Sequence, residues 1–247
     1  VGEAARGCDA IVHCAALHAP HDAAFDEAAF WAVNVTGVDN VLASARSEGT
    51  TSIVVTSTTS LMISDEVRQA EAAGECVWFP ASDEDGERAL APRNKYGRTK
   101  LEAERRCREF AEAEGGKTAV VVVRTSRFFP EDVIEESELP LENLKANELL
   151  GRRVALVDVV EGHLRALCRA RAIGFGVFVL SAPWPAQVPQ QIRDAEAVVE
   201  VLLEQVPEAR QVYGDVKWRL PSRITRVYDA SAATSEEGLG WRPRWTW

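Results

Sequence analysis

A tyrosine and a lysine stand four residues apart in the segment NKYGRTK, Asn94 to Lys100. The segment opens a strongly helical stretch, and on a helix positions i and i+4 share a face. A free phenol titrates near ~10, too high for an efficient base at neutral pH. An ammonium one turn away favours the phenolate and lowers that value. Tyr96 can then take a proton from a substrate oxygen or return one, with Lys100 as its electrostatic partner. The bland alternative is a solvated surface pair.

Other reactive residue types form no such set. Cys8, Cys14, Cys76, Cys107 and Cys168 are spread along the chain, odd in number and without a CxxC pair. That argues against a disulfide framework or a zinc site and suits a reducing cytoplasm. His13, His18 and His21 are neighbours in sequence. Their spacing matches no helical ligand pair, and no acidic or cysteine partner completes a set, so no metal is expected.

The elements that must position Tyr96 read as alternating strands and helices. Asp9 to Cys14, Ser52 to Ser57, Thr118 to Arg124 and Val177 to Ser181 are short, Val-rich apolar runs, the pattern of strands buried on both faces. Between and after them, Phe25 to Arg46, Lys95 to Ala113 and Asp158 to Arg171 carry helical periodicity. Gly49 and the Gly115–Gly116 pair close the first two of these helices. This alternation predicts a doubly wound parallel sheet with helices on both faces. Ile11, Val12, Ile53, Val54, Val55, Val121 and Val122 are its expected buried residues. The segments Phe128–Leu150, Ser181–Gln191 and Val206–Arg223 read as acidic, Pro-rich or irregular. They follow strand ends, where ligands bind in open α/β sheets. The expected division is a cofactor core over 1–127 and 151–181, and a substrate lobe over 128–150 and 182–247.

The chain has 247 residues and a net charge of −10. That acidity argues against a nucleic-acid surface, since phosphate binding needs clustered Lys and Arg. No window approaches the ~20 continuous apolar residues of a membrane span.

Four stretches, in order, resemble the extended short-chain dehydrogenase/reductase superfamily, the branch of NAD-dependent epimerases and dehydratases. They are IVHCAA (Ile11 to Ala16), NVTGVDNVLASA (Asn34 to Ala45), SIVVTSTTS (Ser52 to Ser60) and the Tyr96–Lys100 pair, which matches YxxxK. The ending from Tyr228 to Arg244, with its LGW, is also similar. The resemblance implies a Rossmann-like fold, NAD or NADP as cofactor, and Tyr96 as general acid/base. It implies that Lys100 binds ribose hydroxyls, that Ala15 and Ala16 lie beside the cofactor, and that Asn34 supports the site. The catalytic hydroxyl falls at Thr58, with Ser57 as the neighbouring candidate. Thr58-Thr59-Ser60 stands where the sugar 4,6-dehydratases carry Thr-Asp-Glu, so that dehydration is not expected. Arg219, ten residues before Asp229, resembles the arginine that grips a nucleotide-sugar diphosphate. Leu220 and Pro221 replace the family's Gly-Asp after it, and Arg223 and Arg226 are rivals.

The family's GxxGxxG turn and its NAD/NADP selector are missing from the sequence. The first strand here resembles the family's fourth, so roughly 50–60 residues, about two βα units, are expected to precede Val1. A chain lacking those strands is expected to expose apolar sheet surface, to be poorly soluble, and to bind NAD weakly. The implied function is an NAD(P)-dependent enzyme acting on a small molecule, a sugar-nucleotide 4-epimerase or a carbonyl reductase. A non-catalytic cofactor sensor is the reading from another class. The expected setting is cytoplasmic, with no membrane or nucleic-acid partner, and a homodimer is one assembly it allows.

Overall fold

The computed structural model describes residues 1–81, 90–129, 138–185, 189 and 191–244. In chain order the elements begin with α1 (Gly2–Ala5), β1 (Ala10–His13), α2 (Glu27–Trp31), α3 (Gly37–Glu48) and β2 (Ser52–Thr58). Then come α4 (Asp65–Ala72), β3 (Val77–Phe79), α5 (Lys95–Glu114), β4 (Ala119–Thr125) and β5 (Arg127–Phe129). The last are α6 (Leu141–Leu149), β6 (Arg153–Ala155), α7 (Leu156–Ile173), β7 (Phe175–Leu180), α8 (Ala195–Gln205), α9 (Glu208–Asp215), β8 (Arg226–Tyr228) and α10 (Ser231–Thr234).

Four strands form the central sheet in the order β1-β2-β4-β7. Every pairing is parallel, with Ile11 opposite Ile53 and Val54 opposite Val121. Helices cover both faces, and strand alternation decides which residue meets which helix. Ile53, Val55, Val120 and Val122 pack against Val41, Leu42, Ala103 and Cys107 of α3 and α5. Val54, Val121 and Val123 pack on the other face with Val159, Ala166 and Ala170 of α7. This is the expected Rossmann-like parallel α/β sheet.

Three expectations need correction. Val12, expected in the core, is 45% exposed. It lies on β1, an edge strand that pairs only with β2 among the described residues. The apolar residues Val157, Val160 and Leu164 on α7 are exposed as well. The expected irregular stretch Val206–Arg223 contains α9, where Pro207 takes the helix start that proline tolerates and Ala209 and Tyr213 are buried one turn apart. The acidic stretch Phe128–Leu150 likewise contains α6; its residues 130–137 lie outside the described ones.

Packing also redraws the expected lobe. Cys76, Leu150, Ile224 and Val227 join α8 in one core, and β3 pairs with β8 in a separate two-stranded sheet. Segment 76–79 therefore belongs with that lobe. In the other direction, Ala230, Ala233, Leu239 and Trp241 return to the core of the central sheet. The Trp241 indole N–H donates to Asp158 O at 2.9 Å. Among the described residues, no helix is long and apolar enough to cross a membrane.

One buried ion pair ties the layers together. Arg124 of β4 and Glu104 of α5 are paired at 2.6 Å, with side chains only 2% and 6% exposed. Ser57 of β2, directly opposite Arg124 in register, donates its hydroxyl to the same carboxylate. Removing one partner strands a buried charge, which costs about 3–5 kcal/mol, whereas well-packed apolar replacement of both is often neutral. Glu104→Ala should therefore lower the urea unfolding free energy by that amount. A Glu104→Leu, Arg124→Met double variant should recover much of it, and equal losses in both would contradict this account of the pair.

Candidate active site

Each residue of NKYGRTK holds something. Asn94 caps α5, accepting from Gly97 N at 2.7 Å. Lys95 donates to Asp22 O at 2.7 Å and Phe25 O at 2.6 Å, fastening the loop before α2. Gly97 passes so close to its surroundings that an added Cβ would sit 2.6 Å from Pro92 Cβ and 3.4 Å from Leu61 Cα. Arg98 reaches Glu27 at 3.0 Å. Thr99 meets Asn34, and Lys100 reaches under β2. The α5 N-terminus is thereby fixed against β2 and the segment after β1.

Three predicted residues come together. Tyr96 is half-buried, and the Thr58 side chain lies near enough to its phenol to pull the pKa down. Thr58 Oγ1 also accepts from Ser60 N at 3.1 Å, which fixes the hydroxyl at the end of β2. Lys100 is almost fully buried and donates to Thr56 O at 2.6 Å.

The electrostatics differ from the expectation. Burial holds the Tyr96 phenol above its usual range, and the Thr58 hydrogen bond pulls the other way. Desolvation, not Lys100, sets the direction. Burial likewise lowers the Lys100 ammonium, while Glu104, Cys107 and Cys14 raise it. Burial and then the Lys100 charge lower His13, whose Nε2 is buried without a hydrogen-bond partner among the described groups.

Ser57 does not join the site. Strand alternation turns it to the opposite face from Thr56 and Thr58, into the Glu104 carboxylate. Asn34 supports the site from a single π-helical turn, Ala32–Thr36, set between α2 and α3 where one continuous helix was expected. Its side chain donates to Leu17 O at 2.9 Å and to Thr99 Oγ1 at 3.0 Å, and accepts from Leu17 N at 2.8 Å. It thus pins the stretch after β1, where Ala15 is exposed and Ala16 half-buried, to α5.

Arg219 and Arg223 lie in the other lobe, exposed on the wall of a cavity of about 460 Å³ that Arg152, Glu148, Asn147 and Leu144 also line. The Arg219 backbone is held by Asn143, which accepts from its N–H at 2.7 Å and donates to its carbonyl at 2.8 Å. Their rival Arg226 also lines the cavity, but it is buried and paired with Glu71 at 2.7 Å. No residue of β2 or α5 lines this cavity. No cluster of three potential metal ligands occurs among the described residues.

The NAD dependent epimerase/dehydratase family matches residues 2–138, just over half of the chain. The chain belongs to this family. Comparison with curated proteins finds no match. Solved structures with the same fold include MoeE5 in complex with UDP-glucose and NAD, at 16% identity and a TM-score of 0.61, covering 99% of this chain and 77% of that one. The UDP-N-acetylglucosamine 4-epimerase from Bacillus cereus is similar at 16% identity and TM-score 0.62, covering 99% and 75%. RMD from Pseudomonas aeruginosa complexed with NADPH is similar at 18% identity and TM-score 0.57, covering 96% and 77%.

Sequence reasoning missed Thr56, Glu104 and His163. Glu104 lies four residues beyond Lys100, so the helical spacing that links Tyr96 to Lys100 carried a signal for it. His163 meets Thr56 across 107 residues, and no local pattern announces it.

The two candidate hydroxyls can be separated in solution. Thr58→Val removes the hydrogen bond that favours the phenolate, so the Tyr96 pKa should rise further in an absorbance titration. Ser57→Ala should leave that titration unmoved and lower stability by about 1.5–3 kcal/mol, the net worth of a hydrogen bond to a charged group. The reverse pattern would assign the site hydroxyl to Ser57.

Proposed function

We propose that this protein is an NAD(P)-dependent enzyme acting on a carbinol carbon of a sugar nucleotide, in the manner of a 4-epimerase. The observation that carries the reading is the gathering of Tyr96, Thr58 and buried Lys100, whose ammonium donates to Thr56 O, at the carboxyl end of a central parallel strand. The geometry suits alcohol chemistry. Thr58 has its Oγ1 fixed by Ser60 N, and its single O–H can turn from the phenol to a substrate oxygen. Tyr96 can exchange a proton with the same substrate oxygen.

The donor set fits the nicotinamide end of the cofactor. An ammonium has three N–H donors, and Thr56 O takes one from Lys100. The others suit a vicinal diol such as a ribose. Ala15 and Ala16 offer backbone without bulk on the exit of β1, held in place through Leu17 by Asn34. When bound, NAD(P) supplies the hydride acceptor and donor at the carbinol carbon. Tyr96 takes the hydroxyl proton as that carbon becomes a carbonyl, and returns it at the end. Thr58 holds the oxygen throughout. Lys100 holds the ribose and supplies positive charge beneath the site. Arg219 and Arg223 are proposed to take the substrate's diphosphate in their cavity, where the basic wall suits phosphate oxygens.

With a UDP-hexose and NAD(P), Tyr96→Phe should lower turnover by about 10²- to 10⁴-fold, the range of a general acid or base. Near-normal turnover in a folded variant would sink the reading. Net consumption of NADPH in proportion to product would replace the epimerase with a reductase.

The pH dependence has a definite sign. The phenolate exists above the Tyr96 pKa, which burial raises, so the oxidative half should gain on the alkaline side. Lys100→Met removes the nearby cation and should move that limb to still higher pH. An unmoved limb would leave Lys100 a ribose ligand only.

Arg219→Ala should raise KM for the sugar nucleotide with little change in kcat. An unchanged KM would remove the diphosphate from that cavity.

A further inference from the structure

The clamp that Asn34 makes beside the central sheet recurs in the other lobe. Asn34 Oδ1 accepts from Leu17 N at 2.8 Å, and its Nδ2 donates to Leu17 O at 2.9 Å. Asn143 of α6 treats Arg219 in the same way, accepting from its N–H at 2.7 Å and donating to its carbonyl at 2.8 Å. A side-chain amide carries both an acceptor and donors, so it can pair with the two backbone groups of one residue. The second amide hydrogen is also used, on Thr99 Oγ1 by Asn34 and on Asn147 Oδ1 at 3.2 Å by Asn143. Both asparagines are 1% exposed.

Packing alone does not call for an amide in α6. Asparagine is a poor helix former, because its side chain competes for backbone groups. Yet Asn143 is the residue that α6 buries. A leucine there would bury apolar area with no polar group to satisfy. What the amide supplies is a grip on Arg219, which lies in neither helix nor strand. Asn147, one turn along α6, adds a second hydrogen bond to Arg219 O at 3.1 Å. Arg219 and Asn147 line the cavity of about 460 Å³, and Asn143 does not. Asn143 therefore holds the arginine's backbone from behind the wall. The exposed guanidinium reaches Glu138 O at 3.4 Å, next to Leu139 on the same wall.

We propose that Asn143 is a positioning residue for anion binding, which aims Arg219 at a diphosphate in the cavity by fixing its backbone. Asn143 itself touches no ligand, and its role rests on the reading of that cavity given above. An arginine side chain loses much rotamer freedom when it is ordered. With the backbone already held by two amides, only the side-chain torsions remain to be ordered when phosphate oxygens arrive, and that lowers the cost of binding.

The test is equilibrium binding of UDP to the whole chain by titration calorimetry. Arg219→Ala should weaken UDP by about 10- to 100-fold, the worth of a hydrogen bond to a charged group. Asn143→Leu should weaken it by a similar factor. The double variant should bind UDP no worse than Arg219→Ala alone, because the amide works only through that arginine. In turnover, Asn143→Leu should raise KM for the UDP-hexose and leave kcat unchanged. Losses that add in the double variant, or a loss confined to kcat, would overturn the proposal. Asn147→Ala keeps the main clamp and should weaken UDP in the same direction by a smaller factor. If Asn143→Leu does not fold, unchanged UDP affinity in Asn147→Ala overturns the proposal in its place. Full UDP affinity in Arg219→Ala would fell the cavity reading and this role with it. A loss in Arg219→Ala with none in folded Asn143→Leu would fell the role alone. Tyr96→Phe should leave UDP affinity unchanged, so the chemistry at α5 is judged separately.

Discussion

The buried pairing of Glu104 with Arg124 and Ser57 is the constraint on which the site's geometry rests. It joins one helix to two adjacent strands at a single depth in the sheet. The pair sits one helical turn beyond Lys100 and one residue before Thr58. Any slide of α5 along the sheet would separate a buried carboxylate from a buried guanidinium, a far larger penalty than loss of a surface contact. Tyr96 and Thr58 are therefore held at a fixed distance by groups that lie outside the Tyr96–Thr58–Lys100 cluster. The carboxylate also acts along the helix, because its charge opposes the loss of the Lys100 proton.

Burial and charge are balanced within that frame. The chain as a whole is acidic, yet the carboxyl ends of β1 and β2 collect a lysine, two histidines and two hydroxyls. Desolvation pushes each titratable group toward its neutral form: the phenol up, the ammonium and both imidazoles down. Partners then pull selected groups back. Glu104 does so for Lys100, and Thr58 does so for Tyr96.

Much of the fold was legible because it is local. Valine runs flanked by turns announce strands covered on both sides, and the Tyr96–Lys100 spacing announces a shared helix face. What failed was non-local. β3 and β8 are three residues each and pair across some 150 positions, too short for any periodicity to register. Val12 has the composition of a core residue, yet it is exposed on β1, which pairs only with β2 among the described residues. The direction of the Tyr96 shift turned on burial, which no spacing encodes. Ser57 is the instructive case, since the two-residue period of its own strand already set it on the face opposite Thr58.

The π-helical turn at Ala32–Thr36 places stability and function in opposition at one point of the backbone. It inserts one residue into what would be a continuous helix, and one residue rotates everything beyond it by about 100°. Asn34 reaches both Leu17 and Thr99 from that widened turn. Deleting a single residue there would restore a regular helical ladder, a local gain, and would swing the amide away from the strand exit it clamps. Genetic drift toward a better helix is thus drift away from an assembled site. The bulge would persist in descendants only while something selects for the clamp.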